Sequence, residues 1–218
     1  MAITNYSNLQ TTIADFLNRD DLTSAIPTFI QLAEAQINRD IRHWKMETRS
    51  SGQQNAGDEY MQIPSDWVET IRFQITAVTP PGGSSAAKVQ PLDLISRAAM
   101  LDKRAGANDT SGTPRYYTHA DGQFNLYPTP DAATDLELLY YAKTPALSVS
   151  NTTNWLLEDA PDIYLYGSLL HTAPYLQEDT RVGVWAQLYS AAVARLNEES
   201  EQARYSGSGL TLKVRGLG

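Results

Sequence analysis

The chain contains no cysteine among its 218 residues. Disulfides, thiolate nucleophiles and cysteine metal sites are therefore excluded. Histidine is nearly as scarce. His43, His119 and His171 are the complete set, and none lies near a second one or in a metal-ligand spacing. Metal and His-based catalytic sites need clustered ligands, so no metal and no catalytic residue is assigned. No apolar run approaches the roughly 18 residues of a membrane-spanning helix. Met1-Ala2-Ile3-Thr4-Asn5-Tyr6 lacks the basic and apolar regions of a secretory signal, so a soluble protein made in the cytoplasm is expected.

Other chemistry is equally thin. Gly207-Ser208-Gly209 has no following lysine and opens no helix after a strand, so it is no phosphate cradle. No Gly-x-Ser-x-Gly elbow occurs. Acids come as sequence neighbours, such as Asp20-Asp21, Glu158-Asp159 and Glu198-Glu199. Adjacent side chains point apart on a helix or strand, which makes caps and solvated faces rather than an acid/base dyad. The sequence is expected to be non-enzymatic and to need no cofactor.

What is present is charge of one sign, unevenly placed. The formal net charge is −8, which argues against nucleic acid or an anionic membrane as an adhesive partner. It permits a wall past which DNA slides. Residues 155–204 carry eight acids and three bases, whereas residues 205–218 carry Lys213, Arg215 and no acid.

Periodicity divides the chain. Ser7 with Gln10 reads as a capping box, followed by Leu9, Ile13, Phe16 and Leu17 on one helical face. A second helix is expected over Ser24–Trp44, with Pro27 in its first turn and Trp44 on its core face. The period then changes. Ile63-Pro64-Ser65-Asp66-Trp67 reads as a corner, and Ile71, Phe73 and Ile75 alternate as one face of a strand. Pro80–Ala86 and Gly106–Pro114 read as exposed loops, with a short helix over Leu92–Lys103 between them burying Leu94, Ile95, Ala98 and Leu101. Asp121-Gly122 between two aromatic strands is a hairpin signal. Leu136, Leu138 and Tyr140 supply another strand, and one ring each of Tyr116-Tyr117 and Tyr140-Tyr141 is expected to stay free for contacts. Asp159 is expected to cap a helix containing Ile163, Tyr166 and Leu169, which Pro174 is expected to kink or end. A last amphipathic helix carries Val182, Trp185, Leu188, Tyr189 and Leu196 on one side.

The expected fold class is α+β. The N- and C-terminal helices (1–44 and 155–204) form an antiparallel bundle around a β-rich insertion with a short helix (45–154). An extended docking arm (205–218) follows. In that arm Gly207 and Gly209 form a hinge. Leu210, Leu212 and Val214 fall on one side of an extended segment, with Thr211 and Lys213 on the other, and Arg215 adds charge. A lone strand is unstable in water, so the segment is expected to pair with a sheet edge or groove of another chain.

The order of these parts resembles a known family. The helices Asn5–Asn18 and Ser24–Trp44, the corner Ile63–Trp67, the hairpin of Arg115-Tyr116-Tyr117-Thr118 with Leu126-Tyr127-Pro128, Leu138-Leu139-Tyr140-Tyr141, and Trp155-Leu156-Leu157 with Ala160–Gly167 recur in sequence. Together they resemble the adaptor (head-completion, head-to-tail connector) proteins at the neck of tailed bacteriophages, over nearly the whole chain. The resemblance implies a structural virion protein, about twelve copies of which assemble in a ring beneath the portal protein. The ring would extend the DNA channel, pass genomic DNA without specific binding and meet a downstream neck or tail protein. The carboxyl-terminal arms would reach along the portal. A stopper or tail-tube ring further down the neck is the nearest alternative, and a virion-associated cell-wall hydrolase is the alternative from another class.

Overall fold

The structure, a computed structural model, describes residues 2–19, 21–78, 88–106, 111–176 and 181–205. Helices α1 (Tyr6–Leu17) and α2 (Ile26–Asp40) open the chain. Strands β1 (Glu47–Gln54), β2 (Tyr60–Gln62), β3 (Trp67–Val78), β4 (Lys88–Pro91) and β5 (Asp93–Leu94) follow. Next come helix α3 (Arg97–Gly106) and strands β6 (Tyr116–Ala120), β7 (Gln123–Tyr127) and β8 (Thr134–Ala142). Helices α4 (Trp155–Asp159), α5 (Pro161–Leu170), α6 (Ala173–Leu176) and α7 (Val182–Tyr205) close the described chain. The fold is α+β, in two units: Met1–Lys45 with the chain from Thr144 onward, and Met46–Lys143.

The second unit holds two four-stranded sheets, ordered β1-β8-β3-β4 and β2-β7-β6-β5. Alternation puts Phe73, Ile75, Leu136, Leu138 and Tyr140 of one sheet and Tyr117, Phe124 and Leu126 of the other into a single apolar cluster. The Phe73 ring lies 5.2 Å from that of Tyr117 and 5.0 Å from that of Phe124, which joins the sheets by aromatic contact. The β6–β7 turn uses Asp121 (φ 52°) and Gly122 (φ 72°), the left-handed pair that the Asp-Gly signal predicts. Ile71 is exposed rather than in phase with Phe73 and Ile75, because the β3–β8 register shifts between Thr70 and Arg72. Tyr140 and Tyr141 are both buried, so neither ring is free for an outside contact, contrary to the alternation argument.

The helix expected over Leu92–Lys103 starts later, at Arg97. Its intended first turn is claimed by sheets: the Leu92 amide donates to the Phe73 carbonyl at 2.9 Å, and the Ile95 amide to the Tyr117 carbonyl at 2.9 Å. The helix then buries Met100 and leaves Leu101 62 % exposed, with Leu94 exposed on β5. Pro80–Ala86 and residues 107–110 of the second expected loop lie outside the described residues.

In the first unit α5 is the pivot. Ile163, Tyr164, Leu165, Gly167, Ser168 and Leu169 are all buried, so the helix is enclosed around most of its circumference. It packs against α1, α2 and α7. A Cβ built on Gly167 would stand 3.2 Å from the Tyr189 ring and 3.4 Å from Ala33, so glycine allows α2 and α7 to close on α5. Pro174 does not end α5, which stops at Leu170; it sits in the single turn of α6. Asp159 closes α4 instead of capping α5, which has no side-chain cap. Asn5, not Ser7, caps α1, its Oδ1 accepting the Asn8 amide at 2.9 Å.

Residues 144–154, expected with the insertion, belong to the helical unit. Several of their backbone polar groups are bonded there. The Thr144 amide donates to Asn38 Oδ1 at 2.9 Å, and the Leu147 amide to Glu34 Oε1 at 2.6 Å. Asn154 Nδ2 donates to the Pro145 carbonyl and to Tyr164 Oη, each at 2.7 Å, and Tyr164 Oη donates onward to Glu34 at 3.4 Å. Burial raises the Glu34 carboxyl above its ordinary range, while the Leu147 amide and the Tyr164 hydroxyl oppose the rise.

This latch is testable by urea unfolding. Glu34→Ala, which removes the acceptor shared by Leu147 and Tyr164, is expected to cost about 1–3 kcal/mol. Glu34→Gln keeps an acceptor oxygen without burying a charge and is expected to cost clearly less. Equal stability of Glu34→Ala and wild type would show that the latch does not hold the returning segment.

Candidate functional site

The tail residues singled out by sequence, Gly207, Gly209, Leu210, Leu212, Lys213, Val214 and Arg215, lie outside the described residues. The structure describes the base from which they leave: the last turns of α7 and the elements that hold it.

That base depends on where α2 stops. The helix expected to reach Trp44 ends at Asp40, and Ile41 is extended (φ −103°, ψ 134°). The next amides bond to α7 instead of continuing the helix. The Arg42 amide donates to Asn197 Oδ1 at 3.1 Å, and the Trp44 amide to Ser200 Oγ at 2.9 Å. Asn197 Nδ2 returns a bond to the Asp40 carbonyl at 3.3 Å, and Tyr189 Oη donates to Asp40 Oδ2 at 2.9 Å. Trp44 is consequently 45 % exposed rather than in the core. Of the other aromatics expected on core faces, Trp185 and Tyr189 are buried and Tyr166 is half-buried.

Beside the clamp, His43 is buried and stacks on Trp155, with ring centroids 5.0 Å apart and planes 16° apart. Its Nδ1 accepts the Lys45 amide at 3.2 Å. Lys45 Nζ meets Asp159 Oδ2 at 2.5 Å. α7 is thus gripped through Leu196 and Ser200, both buried, while every residue of Glu201–Tyr205 is exposed, Tyr205 to 69 %. Glu198, Glu199 and Glu201 outnumber Arg195 and Arg204 on this shoulder, with Arg195 Nε on Glu199 at 3.1 Å. A groove of about 220 Å³ between α4, the start of α5 and α7 is lined by Asp159, Asp162, Leu196 and Glu199. It is smaller than the roughly 300–1,000 Å³ of small-molecule sites.

His119 packs against the rings of Trp67 and Phe124, each 5.2 Å away. Among the described residues no group of three His, Cys, Asp or Glu side chains is placed to hold a metal ion. The clamp itself was not anticipated. Its only sequence signal is the spacing of Ser200, four residues beyond Leu196 and on the inward side, where a small hydroxyl replaces an aliphatic side chain.

Burial lowers the His43 pKa, aided by the positive charge of Lys45 and opposed by Asp159 and Glu199. The folded state therefore binds this proton less readily than the unfolded chain, whose histidine titrates near 6.5. Stability is full above that value and falls as pH drops through it towards the folded pKa. His119 and His171 are shifted the same way by burial. Thermal melts are expected to show falling stability from pH 7.5 to 5.5, with a shallower fall in His43→Gln. A pH slope unchanged by that substitution would contradict a buried, neutral His43.

The comparisons complete the picture. The family described as SU10 adaptor protein matches residues 4–212, which takes in both units and runs into the tail as far as Leu212. No curated protein matches the chain. An adaptor family is a structural class rather than an enzyme class, and a phage adaptor is a component of the virion. The chain belongs to the SU10 adaptor protein family, in agreement with the phage head–tail adaptors that its order of helices and strands resembles.

Proposed function

We propose that this protein forms a ring of about twelve copies beneath the phage portal protein, at the neck of the virion. The ring extends the DNA channel and joins the head to a downstream neck or tail protein. The observation that carries this reading is the adaptor-family match over residues 4–212. In it, the helical unit and the β-rich unit form the ring body, the helices of 1–44 and 155–204 packing as an antiparallel bundle. The segment after Tyr205 is the portal-docking arm.

Two physical arguments support the assignment. The first is the contrast between a clamped α7, held through Ser200, and an exposed final turn leading into an uncharged hinge and an alternating, basic segment. A helix fixed in its body and exposed at its end is a rigid launch point for a docking segment. Gly207 and Gly209 let the chain turn away sharply, Leu210, Leu212 and Val214 fill pockets of the partner, and Lys213 and Arg215 meet its acidic groups. The second is charge. The exposed Glu198, Glu199 and Glu201 suit a surface past which DNA moves without adhering. The chemistry of the role is mechanical and electrostatic; no bond is made or broken.

Deletion of Ser206–Gly218 separates arm from body. Circular dichroism and melting are expected to stay unchanged, because the clamp ends at Ser200. Affinity for isolated portal is expected to fall at least about tenfold, or about 1.4 kcal/mol, and phage carrying the deletion are expected to give heads that lose DNA. Unchanged portal affinity of the truncated protein would refute the docking arm. Binding to a tail component in place of portal would move the ring further down the neck.

A further inference from the structure

The last buried residue of α7 is fastened to a turn that holds its shape only while a histidine is neutral. After the extended Ile41 the chain makes a single tight turn at Trp44–Met46. Two consecutive amides of this turn are bonded to side chains. Trp44 donates its amide to Ser200 Oγ on α7 at 2.9 Å, and Lys45 donates its amide to His43 Nδ1 at 3.2 Å. A ring nitrogen accepts a hydrogen bond only through its free lone pair. Protonation makes Nδ1 a donor, and it then faces the Lys45 amide, which is also a donor.

The surroundings offer a protonated ring little compensation. His43 is 5 % exposed and lies flat on Trp155, so water reaches it poorly. The charged groups that face it come from three elements: Lys45 on the turn itself, Asp159 on α4, and Glu199 and Arg204 on α7. Both acids already hold a cation. Lys45 Nζ sits on Asp159 Oδ2 at 2.5 Å, and Arg195 Nε on Glu199 Oε1 at 3.1 Å. A further positive charge would join three cations set against two carboxylates, inside a poorly hydrated site.

We infer that the turn is a proton-operated catch for the end of α7: when His43 takes up a proton, the turn opens, the Trp44 amide leaves Ser200, and the last turns of the helix loosen. Leu196, buried one turn earlier, keeps the rest of α7 seated. Ser200 is the last buried residue of the helix, so loss of its bond is felt first in the turns beyond it. The direction follows from the ring. Its pKa lies below the ordinary value near 6.5, so the catch is closed above that pH and opens as pH falls through the lowered pKa. In the docking reading proposed above, the catch sets how firmly the stem of the arm is held; the release itself stands without that reading.

The release is read on the full chain without portal, by amide hydrogen exchange between pH 7.5 and 5, corrected for the intrinsic effect of pH. Protection of the Trp44 amide and of Glu201–Tyr205 is expected to fall at least about tenfold relative to the amides of α5. Equal protection of Trp44 at both pH values would overturn the catch. Loss of protection in α5 to the same extent would also overturn it, since that is general acid unfolding. His43→Asn places a non-titrating acceptor where Nδ1 stands and is expected to remove the pH dependence at Trp44; a wild-type dependence in that variant would contradict the inference. Ring-nitrogen NMR of the wild-type chain gives a check that needs no variant. The His43 titration and the loss of Trp44 protection are expected to share one midpoint, and a ring that titrates while Trp44 stays protected would refute the coupling.

Discussion

The enclosure of α5 is the constraint on which the helical unit depends. Its buried positions run Ile163, Tyr164, Leu165, Gly167, Ser168 and Leu169, so no single neighbour can cover it. Such a helix must be surrounded, and the chain surrounds it with α1 and α2 from one end of the sequence and α7 from the other. The β-rich residues between them are therefore an excursion whose two ends return to the same helical unit. Glu34 and Asn38 secure the return, since they accept the Leu147 and Thr144 amides that re-enter the unit. A buried carboxylate is a costly acceptor, and it is kept where two donors from distant parts of the chain converge.

The same enclosure fixes the path of α7. Once Tyr189 has closed over Gly167 and Asp40, the helix continues past the end of α2, where the Arg42 and Trp44 amides have lost their helical partners. Asn197 and Ser200 accept those amides. One set of bonds thus terminates α2 and anchors α7. The exposed Glu201–Tyr205 turn is what remains after that anchoring, and it ends the described chain.

Much of this was legible in the sequence where a local signal and its periodicity agreed. Asp121-Gly122 gave its hairpin, and Leu136, Leu138 and Tyr140 gave a strand of the second unit's core. Two of the misreadings share a physical cause: backbone donors were claimed by distant partners. Leu92–Ile95 joined sheets because Phe73 and Tyr117 offered carbonyls, and α2 ended early because α7 offered an amide and a hydroxyl oxygen. Ile71 left the core because of a register shift that alternation alone does not encode. The order of elements survived these local errors, and it was the order, more than any residue, that resembled an adaptor family. The tail's alternating, basic composition is a property of the sequence, and its residues lie outside those the structure describes.

The central claim is a ring of this chain between portal and tail. It is tested most directly by an electron cryo-microscopy reconstruction of the virion neck at side-chain resolution. The expected result is density for the helical and β-rich units in a closed ring of about twelve copies immediately below the portal, with the chain after Tyr205 running along a portal subunit. Density for this chain in a tail fibre, in the tail tube or away from the portal axis would contradict the account.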